Sequence, residues 1–226
     1  MGDDRVSAAT TDGESGPLPA PLPAPDPATV PATVPTPLPA TVKEGWSGRY
    51  YEDFEIGDVY QHPWGRTISE ADNTWFTLFT LNTNQMHFNA HYAERSTFGR
   101  LLVNSGLTVA LILGQSVIDL SQNAIANLEW ESIRLTAPVF VGDTLYSESR
   151  VVAKRLSESR PYAGIVSAQT RGLNQDAVVV IEWTRSFMVY RRSATQDKGH
   201  FPVSDQPWPG SAGPGHSSSK AQPPAR

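Results

Sequence analysis

The sequence predicts an α+β domain in which one antiparallel sheet wraps around a long buried helix. Three observations predict it. Two segments with apolar residues at helical spacing come first, near residues 69–80 and 105–120. Strand-like runs separated by turn residues follow, from Ile125 to Tyr190. The two ends differ from this middle in composition. Helices gathered ahead of the strands, instead of alternating with them, exclude a βαβ arrangement.

The elements can be justified in order. Residues 1–45 carry prolines in near-repeats of Pro-Leu-Pro-Ala (17–20, 21–24, 37–40) and Pro-Ala-Thr-Val (27–30, 31–34, 39–42), with no aromatic residue. Such a segment buries too little to offset the entropy of ordering, so a disordered arm with polyproline character is expected. It reads as a solvated tail, with docking to an SH3-like or carrier partner as the alternative. Residues 46–192 then form one domain, and 193–226, rich in Ser, Pro, Gly and Gln, a second disordered tail. Within the domain, Gly45 to Gly57 is an aromatic lead-in with a turn at Glu55-Ile56-Gly57-Asp58. Ser69 is an N-cap with Asp72 completing a capping box. The helix that follows carries Trp75, Phe76, Leu78 and Phe79 and ends near Thr80. Trp75 and Phe79 repeat at helical spacing, which reads as core packing or, alternatively, as the lining of an acyl tunnel.

From Ser105 to Leu120, Leu107, Val109, Ala110, Leu111, Leu113 and Val117 are apolar almost all round. A helix without a polar face is usually buried. Gly106 and Gly114 would let neighbouring backbone approach it. Ile125 to Leu135 reads as a first strand and Leu145 to Leu156 as a second. Gly164 to Leu173 and Ala177 to Tyr190 form a hairpin around Asn174-Gln175-Asp176. One small core of this kind gains by burying surface against a second copy, so a homodimer is expected.

Composition narrows the functions. The 226 residues contain no cysteine, which removes disulfides, thiolate nucleophiles and zinc–thiolate sites. That fits a reducing, cytoplasmic setting. The N-terminus lacks the basic start and apolar stretch of a secretory signal. No apolar run approaches membrane-spanning length. A net charge of −5 without a basic stripe argues against nucleic acid.

The chemistry concentrates in Asn82-Thr83-Asn84-Gln85-Met86-His87, a polar run between apolar stretches. With five further residues and Ala93 it matches the pattern Asp-x-Asn-Pro-aliphatic-His-x5-Ala/Ser. Leu102-Val103-Asn104-Ser105-Gly106-Leu107-Thr108 opens the buried helix, and Arg134 to Thr144 contains Pro138-Val139-Phe140-Val141-Gly142-Asp143-Thr144. On these three pieces, spanning roughly residues 50–190, the chain resembles the MaoC-like hot-dog-fold hydratases, including the (R)-specific 2-enoyl-CoA hydratases. The resemblance implies a hot-dog fold, a dimer, no cofactor, and reversible addition of water across the 2,3 double bond of an acyl-CoA or acyl-carrier thioester. It implies that Asn82 and His87 occupy the catalytic aspartate and histidine positions. It also implies that the Ser105 backbone N–H polarises the thioester carbonyl, with Asn84, Asn104 and Gly106 close to the substrate.

Physical chemistry supports these roles. A histidine with an ordinary pKa of about 6.5 can act as base or acid near neutrality. A helix N-terminus offers free N–H groups where the thioester oxygen gathers charge. Ser105 can also be an ordinary cap residue without conflict.

Two departures matter. Asn82 cannot take a proton from water, although its amide can orient one. Three explanations compete: His87 acts alone, Asp72 or Glu70 substitutes, or the substrate brings its own carboxylate. The last gains from a second likeness. Asn82-Thr83-Asn84 and Asn104-Ser105, with Gly65-Arg66-Thr67, Gly99-Arg100 and Arg171 to Asp176, resemble the mesaconyl-CoA hydratase, or β-methylmalyl-CoA dehydratase, branch. That favours a short branched or dicarboxylic acyl group. Gln85 replaces the pattern's proline, which frees the loop or gives it a new contact. Arg66, Arg100 and Arg134 are candidates for a carboxylate or a CoA phosphate, Arg100 foremost, against the alternative of solvated surface arginines. His91 follows His87 at helical spacing but lacks a third ligand, so no metal is expected. His62 receives no role, and His200 and His216 lie in the tail. A hot-dog thioesterase and a non-catalytic thioester-binding subunit are the competing functions.

Overall fold

A computed structural model describes Lys43 and residues 45–194, together with Pro202, Ser204 and Gln206. The expected arm over 1–45 and tail over 193–226 fall almost wholly outside these residues. Within the compact unit Lys43–Phe201, the chain forms β1 (Val59–Gln61), β2 (Arg66–Thr67), α1 (Glu70–Phe79), α2 (Ala90–Glu94) and α3 (Ser105–Ser116). Four long strands follow: β3 (Ala124–Leu135), β4 (Thr144–Leu156), β5 (Ala163–Leu173) and β6 (Val179–Tyr190). All pairings are antiparallel, in the order β1-β4-β5-β6-β3, and β2 pairs with β4 beside β1. This is the expected hot-dog arrangement of a sheet along one central helix. No helix among the described residues is long and apolar enough to cross a membrane.

The sheet forms because its inner positions alternate. Leu145 and Val151 of β4, Val166 and Ala168 of β5, and Ile181, Trp183 and Phe187 of β6 are buried. α3 lays Leu107 and Ile112 on the first half of this face, against Leu145, Ile181 and Trp183. The second half closes on Phe54 and Leu120. The close approach of helix to sheet occurs at Gly172 of β5, where a Cβ would meet Ile112 Cδ1 at 2.6 Å. The glycines picked out by sequence behave differently. A Cβ at Gly114 would meet nothing, and one at Gly106 would meet Phe76 at 3.1 Å.

Two further expectations change. α3 ends at Ser116 and continues as a π-helical turn, Val117–Ser121. That turn presents Asp119 to His62 Nδ1 at 2.9 Å, while His62 Nε2 meets Ser149 Oγ at 3.0 Å. Burial pushes the His62 pKa down, against the pull of Asp119. His62 therefore belongs to a buried polar row between the two halves of the core. α3 is also open on one side, with Ala110, Gly114 and Val117 exposed, because the sheet of one chain covers only the other side.

The second change concerns α1. Ser69 caps it as expected, with Asp72 completing the box. Of its aromatic residues Phe76 packs against the core, whereas Trp75 is 76% and Phe79 83% exposed. Its fully buried positions are polar, Asn73 and Thr77.

Candidate active site

The polar run begins where α1 ends. Thr80 is the C-cap, and Leu81 turns the chain with φ 58°. Leu81 N–H donates to Leu78 O at 3.0 Å and Asn82 N–H to Thr77 O at 3.0 Å, the pair of bonds of a Schellman ending. Asn82 Oδ1 then accepts from Asn84 N–H at 2.9 Å, and Asn84 Oδ1 from Met86 N–H at 3.1 Å. Two successive asparagine turns thus wind the chain into a short 3-10 turn, Gln85–His87, whose last residue is buried. Gln85, in the proline position, takes up a polar contact: its Oε1 accepts from Asn89 Nδ2 at 2.6 Å. Asn89 in turn caps α2.

His87 Nδ1 lies 2.9 Å from Leu102 O. A carbonyl oxygen only accepts, so Nδ1 carries the hydrogen and the neutral ring keeps its lone pair on Nε2. No hydrogen bond from a described residue occupies Nε2. Leu102 belongs to the short segment leading into α3, which is bridged to Phe140.

α3 opens at Asn104, whose Oδ1 accepts from Gly106 N–H at 2.9 Å. Gly106 N–H is therefore spoken for, and the residue contributes its lack of a side chain beside Phe76. Ser105, exposed at the first helical position, has no such partner for its N–H among the described residues. It lines a cavity of about 290 Å³ with Phe98, Leu102, Val103, Thr108 and Pro138. Leu102 is shared: its carbonyl holds the His87 ring and the residue forms part of this wall. His87, Asn82 and Asn84 are not in the wall.

The arginines separate. Arg134 pairs with Glu182 across the sheet and is 70% exposed; the cavity wall holds its neighbours Leu135 and Thr136 but not Arg134 itself. Arg66 pairs with Asp72 at 2.8 Å. Arg100 lies 3.7 Å above the Phe140 ring and lines a neighbouring cavity of about 250 Å³ with Glu94 and Leu101. Phe140 also packs edge-on to Phe98 of the Ser105 cavity, so Arg100 sits one ring away from that cavity.

Asp72 does not substitute for the absent carboxylate. Ser69 N–H, the Ser69 hydroxyl and Arg66 surround it and hold its carboxyl below the usual range. Glu70 stands exposed in the first turn of α1. His91 meets Arg95 Nη1 at 2.8 Å. Among the described residues, no three His, Asp or Glu side chains cluster to hold a metal.

Sequence reasoning missed Asn73 and Thr77. Asn73 Nδ2 donates to His87 O at 2.7 Å and to Leu102 O at 3.0 Å, while its Oδ1 accepts from Asn104 N–H at 2.8 Å. Thr77 Oγ1 accepts from Asn104 Nδ2 at 3.2 Å. The available signal was a polar pair four residues apart inside an aromatic helix. A free imidazole lone pair can take up a proton, and a helix-start N–H can donate to an oxygen that gathers negative charge.

Comparison with known proteins identifies the family. Residues 36–214 match the family model described as mesaconyl-CoA hydratase. The mesaconyl-CoA hydratase of Cereibacter sphaeroides is 32% identical over 65% of this chain and 42% of its own length. The β-methylmalyl-CoA dehydratase of Chloroflexus aurantiacus is 32% identical over 71% of this chain and 45% of its own. A crystal structure of a MaoC domain protein dehydratase from Chloroflexus aurantiacus superposes with a TM-score of 0.64 at 31% identity, over 74% of this chain and 47% of that one. The chain thus spans about half the length of the curated relatives it matches.

Proposed function

The chain belongs to the mesaconyl-CoA hydratase family, and on that premise we propose that it reversibly hydrates a 2-enoyl thioester. The acyl group is short and branched or dicarboxylic, of the mesaconyl-CoA type, carried on CoA or a carrier protein. The observation that carries the reading is the His87 ring, held through Nδ1–H so that Nε2 is free to act.

In the hydration direction, His87 Nε2 takes a proton from water as the water oxygen bonds to C3. The π electrons move through C2 to the thioester oxygen, which gains negative charge. Ser105 N–H donates to that oxygen, helped by the positive end of the α3 dipole. The imidazolium then returns its proton to C2 as the carbonyl re-forms. Asn82 holds the water or the substrate with its side-chain amide, whose oxygen also accepts from Asn84 N–H. With Asp72 committed to Ser69 and Arg66, His87 works alone or with a carboxylate on the substrate. Arg100 is placed to receive that carboxylate or a CoA phosphate. A second copy of the chain completes the molecule as a homodimer in the cytoplasm.

The test is a mass-spectrometric screen of enoyl- and 3-hydroxyacyl-CoAs, mesaconyl-CoA included, for gain or loss of one water. His87→Ala is expected to abolish the change while keeping the circular dichroism spectrum and melting temperature of the parent. Turnover of His87→Ala at the parent rate would overturn the assignment. Release of free thiol would favour a thioesterase, and tight acyl-CoA binding without conversion a non-catalytic subunit.

A further inference from the structure

We propose that Asn73 is a positioning residue that fixes the His87 imidazole relative to the Ser105 N–H. The proposal rests on the hydratase reading of those two groups. Asn73 lies wholly inside the protein, and its single amide reaches three backbone groups on two segments, the turn that ends at His87 and the lead-in to α3. Its two N–H bonds go to His87 O and Leu102 O, at 2.7 and 3.0 Å, and its oxygen takes the Asn104 N–H at 2.8 Å. The first bond fixes the end of the 3-10 turn that carries the imidazole. The second fixes the carbonyl that also accepts from His87 Nδ1. The third fixes the N-cap from which Ser105 projects.

Base and oxyanion donor therefore stand on either side of one planar group whose two N–H donors are both engaged and whose oxygen accepts the third bond. No other side chain of this size offers two donors and one acceptor in a plane. An aspartate would set oxygen against two carbonyls. An alanine would leave the His87 carbonyl and the Asn104 N–H without the Asn73 partner, and Leu102 O with the imidazole alone. Thr77, one turn along α1, supports the same segments through Asn104 Nδ2 and Asn82 N–H. α1 thereby acts as a splint whose buried polar side joins the two halves of the site.

The experiment compares the full-length parent with Asn73→Ala, or with Asn73→Ser where the alanine variant does not stay folded at the assay temperature. A misplacement of about 1 Å costs on the order of a hundredfold in rate. The expected result is a kcat lower by about that factor, with KM within about threefold. Residues acting through one another are non-additive, so Asn73→Ala placed on a His87→Gln background should cost no more than about threefold further. Losses that multiply in full would mark Asn73 as merely structural and overturn the proposal, as would a single-variant kcat within about twofold of the parent. A readout independent of turnover is solvent exchange of the His87 Nδ1 proton, followed by nuclear magnetic resonance on histidine-labelled protein. Exchange should accelerate at least about tenfold in Asn73→Ala, and unchanged exchange overturns the proposal. If no thioester is converted by the parent, the hydratase reading fails, and the exchange rate still decides the role of Asn73.

Discussion

Asn82 differs from the aspartate of the related pattern by a charge and a basic oxygen, and its surroundings say what restoring them would do. Its Oδ1 accepts from Asn84 N–H, a bond that a carboxylate makes equally well. Asn82→Asp should therefore keep the loop and the melting temperature. Its effect on rate depends on what the substrate carries. A second carboxylate on the acyl group would meet the new charge at short range. Repulsion of about 1.4 kcal/mol, modest for two such charges near a protein surface, is a tenfold loss. We expect kcat/KM for mesaconyl-CoA to fall about tenfold or more while that for crotonyl-CoA, which lacks the carboxylate, holds or rises. Parallel changes for both substrates would remove the substrate-carboxylate explanation and leave His87 acting alone. At this scale a motif names His87 and Ser105 in the sequence, and the structure puts one, buried, at the end of a 3-10 turn and the other at the first position of α3. The sequence was silent on Asn73 and on the occupied N–H of Gly106. Their roles are set by partners 14 to 31 residues away in the one case and by the rotamer of Asn104 in the other.

α1 shows how an element can be read correctly at its end and wrongly on its face. The capping box is local, written in Ser69 and Asp72 alone, and the structure contains it. Which side of the helix turns inward is decided by what lies opposite. The backbone carbonyls of His87 and Leu102 and the N–H of Asn104 need partners, so Asn73 and Thr77 win the inside over Trp75 and Phe79. The cap also gives the helix a pH dependence. Asp72 is held below the usual carboxylate range by Ser69 N–H first, then the Ser69 hydroxyl and Arg66. A lowered folded-state pKa means that its contribution is complete above the unfolded value of about 3.9 and disappears as pH falls through the folded value. Asp72→Asn should destabilise the domain by about 1 kcal/mol at pH 7. The exposed Arg66 adds little to that figure. Denaturant titrations of parent and variant should converge as the pH drops below about 4. A gap that stays constant across that range would show that the charge of Asp72 is not what stabilises the cap.

Over the whole molecule, β4, β5 and β6 were legible because apolar runs are bounded by turn residues, with inward and outward positions alternating along most of β4 and β5. β1 and β2, at three and two residues, are too short to carry such a run. β3 was found as a strand, yet its place was not. It is the last strand of the sheet, pairing only with β6, and every residue from 127 to 136 is exposed. Leu128, Trp130, Ile133 and Leu135 stand 39–53% open to solvent. α3 is uncovered on Ala110, Gly114 and Val117 as well. An open apolar edge strand is a hazard that folded proteins cover or charge. In the homodimer proposed above, a second copy covers β3 by edge pairing. The parent should therefore sediment near twice the 24.6 kDa chain mass at micromolar concentration. Lysine on an edge strand opposes such pairing, so Leu128→Lys combined with Ile133→Lys should sediment at the single-chain mass with the melting transition still cooperative. A parent that sediments as a single chain, or a double variant that stays paired, would place the second copy elsewhere or remove it.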